Sequence, residues 1–118
     1  PWSQIEETEW SMRSILRENG DGAVPIWLTE YGAPTQGRGS VAESSEHGQP
    51  IPDHVTEQYQ RYILEEALEE NAQLENTGPL FWYSYKDLGT NTNDKELHFG
   101  ILRADGSNKP AYEYLRDR

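Results

Sequence analysis

The feature that most constrains this chain is a nearly unbroken apolar run, Val24-Pro25-Ile26-Trp27-Leu28-Thr29, that stops at a carboxylate, Glu30. A strand with water on one face alternates apolar and polar residues. A run that is apolar at almost every position reads as a strand covered on both faces, the situation of parallel sheets. Pro25 cannot donate to a ladder, so it fits only near the strand start or on an edge. A second run, Leu80-Phe81-Trp82-Tyr83-Ser84-Tyr85, has the same character.

The stretches around these runs read as helices and loops. Ile5, Met12, Ile15 and Leu16 recur at helical spacing, and Ser3 with Glu6 fits a capping box, so a helix is expected over residues 4–18. Asn19-Gly20 stops it. Residues 35–53 form a polar loop, longer than most connections. A second helix is expected over residues 54–74, with Val55, Tyr59, Tyr62, Ile63, Ala67 and Leu74 turned inward and Glu65, Glu66, Glu69 and Glu70 on a solvated face. Asn76-Thr77-Gly78-Pro79 ends that helix. Residues 99–102 read as a short extended piece and residues 104–107 as a turn. Pro110 suits the first position of a last helix over residues 110–116. The order is helix, strand, helix, strand, helix. Each strand is followed by a loop and a helix, which is the grammar of an α/β fold with parallel strands.

The 118 residues amount to one domain. The formal net charge of −11 argues against nucleic-acid binding and against docking on an anionic membrane. No apolar run approaches a membrane span. Four Trp, seven Tyr and two Phe are too many for a disordered acidic tail. Cysteine is absent, which removes disulfides and thiolate metal sites. His47, His54 and His98 stand far apart in sequence, no Ser sits in a G-x-S-x-G elbow, and no phosphate loop or dinucleotide fingerprint occurs. No metal or cofactor is expected. Glu30 is the sharpest candidate. It closes a buried strand at its C-terminal end, where parallel α/β sheets place their active sites. Trp82, Tyr31, Tyr83 and Tyr85 add aromatic rings that can stack on the apolar face of a sugar.

Three stretches together carry a family resemblance. Residues 24–35, VPIWLTEYGAPT, resemble the seventh strand of retaining glycoside hydrolases with a (β/α)8 barrel. Residues 80–87, LFWYSYKD, resemble their eighth strand. Residues 96–112, ELHFGILRADGSNKPAY, are similar to the closing segment of cellulase-like and β-xylosidase-like members, the clan A type. The resemblance implies that Glu30 is the catalytic nucleophile, that Trp82 floors the sugar subsite, and that Tyr31 and Tyr85 border the cleft. It assigns Lys109-Pro110-Ala111-Tyr112 a structural part, starting the last helix. It also implies a carbohydrate substrate and, since polysaccharides lie outside cells, a secreted or extracellular location.

The resemblance covers the end of such an enzyme only. A complete barrel takes about 250 residues and eight strands. The family's acid/base Glu belongs to a fourth strand, whose place lies upstream of Pro1, and a chain opening on Pro1-Trp2 reads as a processed or excised piece. The expectation is therefore an α/β piece made of the C-terminal βα units of a barrel. It is incomplete and inactive alone, it calls for the N-terminal part of the barrel as partner, and its open sheet edges favour self-association. Two other readings stand beside it: a non-catalytic carbohydrate-binding or assembly module, and an acidic α/β domain without sugar chemistry.

Overall fold

The structure, a computed structural model, describes residues 2–45 and 52–118; Pro1 and residues 46–51, which include His47 and part of the expected long loop, lie outside the described residues. Its centre is a parallel pair of strands, β1 (Ile26–Tyr31) and β4 (Thr77–Trp82). Two smaller strands, β2 (Val41–Ala42) and β3 (His54–Val55), form a second parallel pair within the segment expected to be loop. Three helices accompany them: α1 (Met12–Glu18), α2 (Glu57–Gln73) and α3 (Pro110–Asp117). The result is a small α/β unit with short parallel sheets. No barrel closes among the described residues.

The register of β1 on β4 carries two irregularities, one on each strand. Ile26 pairs Thr77 and Leu28 pairs Leu80, so β4 uses one residue more over that interval, at Gly78-Pro79. A bulge is where a strand tolerates proline. Leu28 pairs Leu80 and Tyr31 pairs Trp82, so here β1 has the extra residue, and Thr29 and Glu30 together face one step of β4. Both side chains are exposed, whereas strict alternation would have turned Glu30 inward with Ile26 and Leu28.

The buried face of the sheet packs on the helices in two clusters. Trp2, Ile5 and Ala67 are joined by Ile26, Leu28, Tyr31, Leu74 and Leu80. Leu64, Ile101 and Ala111 are joined by Leu68, Trp82 and Leu115 among others. The opposite face of the sheet is bare. Trp27 and Phe81 lie there 61% and 49% exposed, with ring centroids 6.4 Å apart.

Several expectations change in detail. The first helix is broken: a π-helical turn over Ser3–Glu7 has no side-chain cap, so the Ser3–Glu6 capping box does not form. Ser11 instead caps α1, its Oγ accepting from the Ser14 N–H at 3.2 Å. Met12 and Ile15 are exposed and Arg13 is buried, because Arg13 is tied to the strand starts. The strands begin at Ile26 and Thr77 rather than at residues 24 and 80. The second helix begins after Thr56, whose Oγ1 accepts from the Tyr59 N–H at 3.1 Å. Its buried stripe is Gln60, Leu64 and Ala67, and Tyr62 is exposed. Pro110 opens α3 as expected.

Candidate active site

The four candidate residues separate into two groups. Glu30 is exposed at the C-terminal end of β1, placed there by the bulge, and Tyr85 is 65% exposed beyond the end of β4. Tyr31 and Trp82 turn the other way, into the helical layer. The Tyr31 ring lies 5.6 Å from Trp2 and 6.2 Å from Trp82. Burial, reinforced by the negative charge of Glu66, pushes the Tyr31 hydroxyl above the usual tyrosine range. Trp82 is half-buried against the Leu64 cluster.

One further aromatic residue stands beside this strand end: Tyr83, counted among the aromatic rings from sequence but given no role at the site. Tyr83 follows Trp82 and therefore points away from the helices; it is 40% exposed. Its N–H donates to the Tyr31 carbonyl at 2.9 Å, and its ring meets Phe99 edge-on with centroids 5.4 Å apart. Gly32 is what permits this approach, since a Cβ there would collide with the Tyr83 carbonyl oxygen. The available signal was the strand period: if Trp82 packs inward, its neighbour faces out.

Behind these strand ends lies a buried polar cluster. The Lys109 ammonium, 1% exposed, donates to Thr35 Oγ1 at 2.8 Å, to Asp87 Oδ1 at 2.8 Å and to the Gly100 carbonyl at 2.9 Å. Asp87 Oδ1 also accepts from the Gly100 N–H at 2.9 Å. His98 stands between two acceptors, with Nδ1 3.3 Å from Asp87 Oδ2 and Nε2 2.8 Å from the Asn91 carbonyl. Gln60 Nε2 donates to the carbonyls of Ala33 and Gly100 at 3.0 and 3.1 Å. Burial pushes Lys109 below the ordinary lysine range, opposed by its hydrogen bond and charge pairing with Asp87. Sequence reasoning took Lys109 only as a helix start and did not single out Asp87, His98 or Gln60. Nothing in their spacing shows that chain segments 22 and 74 residues from Lys109 meet at its ammonium.

A second tie holds the other end of the sheet. Arg13, fully buried, donates from Nη1 to the Gly22 and Val24 carbonyls at 2.9 and 2.7 Å, and from Nη2 to the Asn76 carbonyl at 2.8 Å. Asn76 immediately precedes β4, and Gly22 and Val24 lie four and two residues before β1. Each end of the strand pair is thus closed by a buried cation bonded across segments. Over the Lys109 cluster lies a cavity of about 280 Å³ lined by Thr35, Asp87, Thr90, His98 and the paired Glu57 and Arg103 among others. Among the described residues, no group of three or more His, Asp or Glu side chains is placed to hold a metal ion, and no helix is long and apolar enough to cross a membrane.

No protein-family model matches the chain, and no curated protein matches it. Solved structures do. The β-glucuronidase of Ruminococcus gnavus matches with a TM-score of 0.58 at 21% identity, over 90% of this chain and 18% of that one. The same enzyme in complex with uronic isofagomine matches with a TM-score of 0.55 at 21% identity, over 90% and 17%. The β-glucuronidase of Faecalibacterium prausnitzii matches with a TM-score of 0.56 at 18% identity, over 91% and 17%. The chain spans less than a fifth of the length of these proteins. At such identities the likeness is one of fold. The architecture is that of part of a TIM barrel, the fold of these glycoside hydrolases.

Proposed function

We propose that this chain is the C-terminal part of a retaining β-glycosidase of the (β/α)8-barrel type, and that Glu30 is its nucleophile. The observation that carries the reading is the position of Glu30. It is an exposed carboxylate, brought out by a bulge, at the C-terminal end of a parallel strand in a unit that matches part of glycosidase barrels. That end of a barrel strand is where catalytic groups sit.

Retention of configuration needs two carboxyl groups about 5 to 5.5 Å apart. Glu30 attacks the anomeric carbon, the bond to the leaving oxygen breaks, and a covalent glycosyl-enzyme forms. The second carboxyl protonates the leaving oxygen and then takes a proton from the water that cleaves the intermediate. In this reading the second group belongs to an upstream part of the barrel, and the 118-residue chain alone turns over slowly or not at all. Tyr83 and Tyr85, the exposed rings beyond β4, border the sugar. Tyr31 and Trp82 support the same strand ends from behind. Because the matched structures include β-glucuronidases, several of them in complex with uronic compounds, glucuronides head the substrates to test. The exposed Trp27, Phe81, Tyr83 and Tyr85 also favour a second reading, a module that binds carbohydrate without cutting it.

The test is covalent labelling with 2-deoxy-2-fluoro glycosides carrying dinitrophenyl leaving groups, the glucuronide included. Such leaving groups depart without acid catalysis, so an absent acid/base does not mask a working nucleophile. Intact mass and peptide mapping are expected to place one glycosyl group on Glu30 and none in Glu30→Gln. An adduct on another carboxylate overturns the assignment. Binding without labelling, lost in Tyr83→Ala, supports the module.

A further inference from the structure

We propose that Lys109 is a positioning residue for the Glu30 strand end, acting through Thr35 and Asp87; the inference rests on the reading of Glu30 as the nucleophile. The segment after Glu30 is held at almost every residue. The Tyr31 carbonyl accepts from Tyr83 at 2.9 Å, Gly32 packs on the Tyr83 backbone, the Ala33 carbonyl accepts from Gln60 at 3.0 Å, and the Pro34 carbonyl accepts from the Val55 N–H at 2.9 Å. The run ends at Thr35, whose N–H donates to the His98 carbonyl at 3.0 Å and whose hydroxyl accepts from Lys109.

The same ammonium reaches the segment after Tyr83 through Asp87, and the segment after His98 through the Gly100 carbonyl. Three stretches distant in sequence therefore converge on one group. A methylene chain without the ammonium would fill the same volume and leave all three untied. Backbone tolerance is low at this point, since a Cβ on Gly100 would collide with the backbone of Lys86 and Asp87. A nucleophile acts only from a defined near-attack position, and a shift of about 1 Å can cost on the order of a hundredfold in rate. By this geometry Lys109 sets the position of the carboxylate without touching a substrate.

Four variants of the full chain test this: Lys109→Met, Thr35→Val, Thr35→Ser, and Lys109→Met combined with Thr35→Val. Thr35→Val keeps shape and removes one acceptor, so it remains informative where Lys109→Met does not fold. Amide hydrogen exchange is read at residues 31–35 and 84–100 against the centre of α2, and labelling by the fluoroglycoside is resolved into kinact and KI. Thr35→Val is expected to speed exchange at the strand-end segments by about tenfold or more while Leu64 and Ala67 keep their protection, as local opening does. It is also expected to lower kinact by about tenfold with KI little changed, which loss of global stability does not produce. Thr35→Ser restores both, and the double variant is no worse than Lys109→Met alone. Uniform loss of protection including α2, or a Thr35→Val chain indistinguishable from the unsubstituted one, overturns the proposal. If the unsubstituted chain takes no label, the nucleophile reading fails in this chain, and the exchange comparison still decides whether Lys109 positions the strand ends.

Discussion

Arg13 and Lys109 are both buried cations, yet they are compensated differently. Lys109 faces a carboxylate, whereas Arg13 donates to three backbone carbonyls. Hydrogen bonds from charged donors contribute about 1.5–3 kcal/mol each, and losing the donor leaves buried acceptors unmatched. Arg13→Met is therefore expected to destabilise the chain by at least about 3 kcal/mol, read as a lower urea midpoint. Tyr31 gives a pH prediction. Its folded-state pKa is raised, first by burial and then by Glu66. Its contribution is fully present below the unfolded value of about 10 and is lost as pH rises through the higher folded value. Lys109 is shifted down by burial, so it acts in the opposite sense, its contribution growing as pH approaches about 10.4. Comparing Tyr31→Phe with the unsubstituted chain isolates the tyrosine. The urea midpoint of the variant is expected to fall less between about pH 9.5 and 11, and equal slopes would count against the assignment.

At the scale of elements, the caps and the close approaches decide geometry. Thr56 sets where α2 begins, and with it the rotation that buries Gln60, Leu64 and Ala67. Thr56→Ala is expected to cost about 1 kcal/mol, as removal of an N-cap side chain does, measured by thermal unfolding. Gly32 is more exacting, because a Cβ there meets the Tyr83 carbonyl and β1 and β4 must separate at their C-terminal ends. Gly32→Ala is expected to reduce labelling of Glu30 more than it reduces the melting temperature. A variant that labels at the normal rate would show that this contact does not govern the site. The helical pattern of the second helix was legible in the sequence, but its face was not. Gln60 looks like a surface residue until the Ala33 and Gly100 carbonyls come within reach of its amide.

The whole molecule is flat and loose for its length. Its radius of gyration is 15.9 Å, against about 13.5 Å for a compact chain of this size, and its smallest extent is 21 Å. The shape follows from a main sheet, β1 with β4, that helices cover on a single face. Trp27 and Phe81 on the bare face require a cover, and a two-stranded sheet is marginal without one. In the proposed parent the rest of the barrel supplies it. In the isolated chain a second copy is the available substitute, so the sedimentation coefficient is expected to rise with concentration and Trp27→Glu to abolish the rise. A concentration-independent monomer with an unchanged melt over a hundredfold dilution would contradict this.

The order of the three helices and the two main strands, the parallel pairing of those strands, the start of the last helix and the candidacy of Glu30 all came from local pattern: unbroken apolar runs, a proline at a first helical position, a carboxylate closing a strand. Such signals are local because strand period and helix start are set by neighbouring residues. What only the tertiary structure decided is long-range. The extra residue in β1 that exposes Glu30 exists only relative to β4. The inward turn of Tyr31 and Trp82 depends on where the helices lie. The burial of Arg13 and Lys109 depends on carbonyls and side chains that meet them only when the chain is folded, 63 and 74 residues away at the farthest. A buried lysine and a surface lysine are the same letter; the difference is in the partners that folding brings to it.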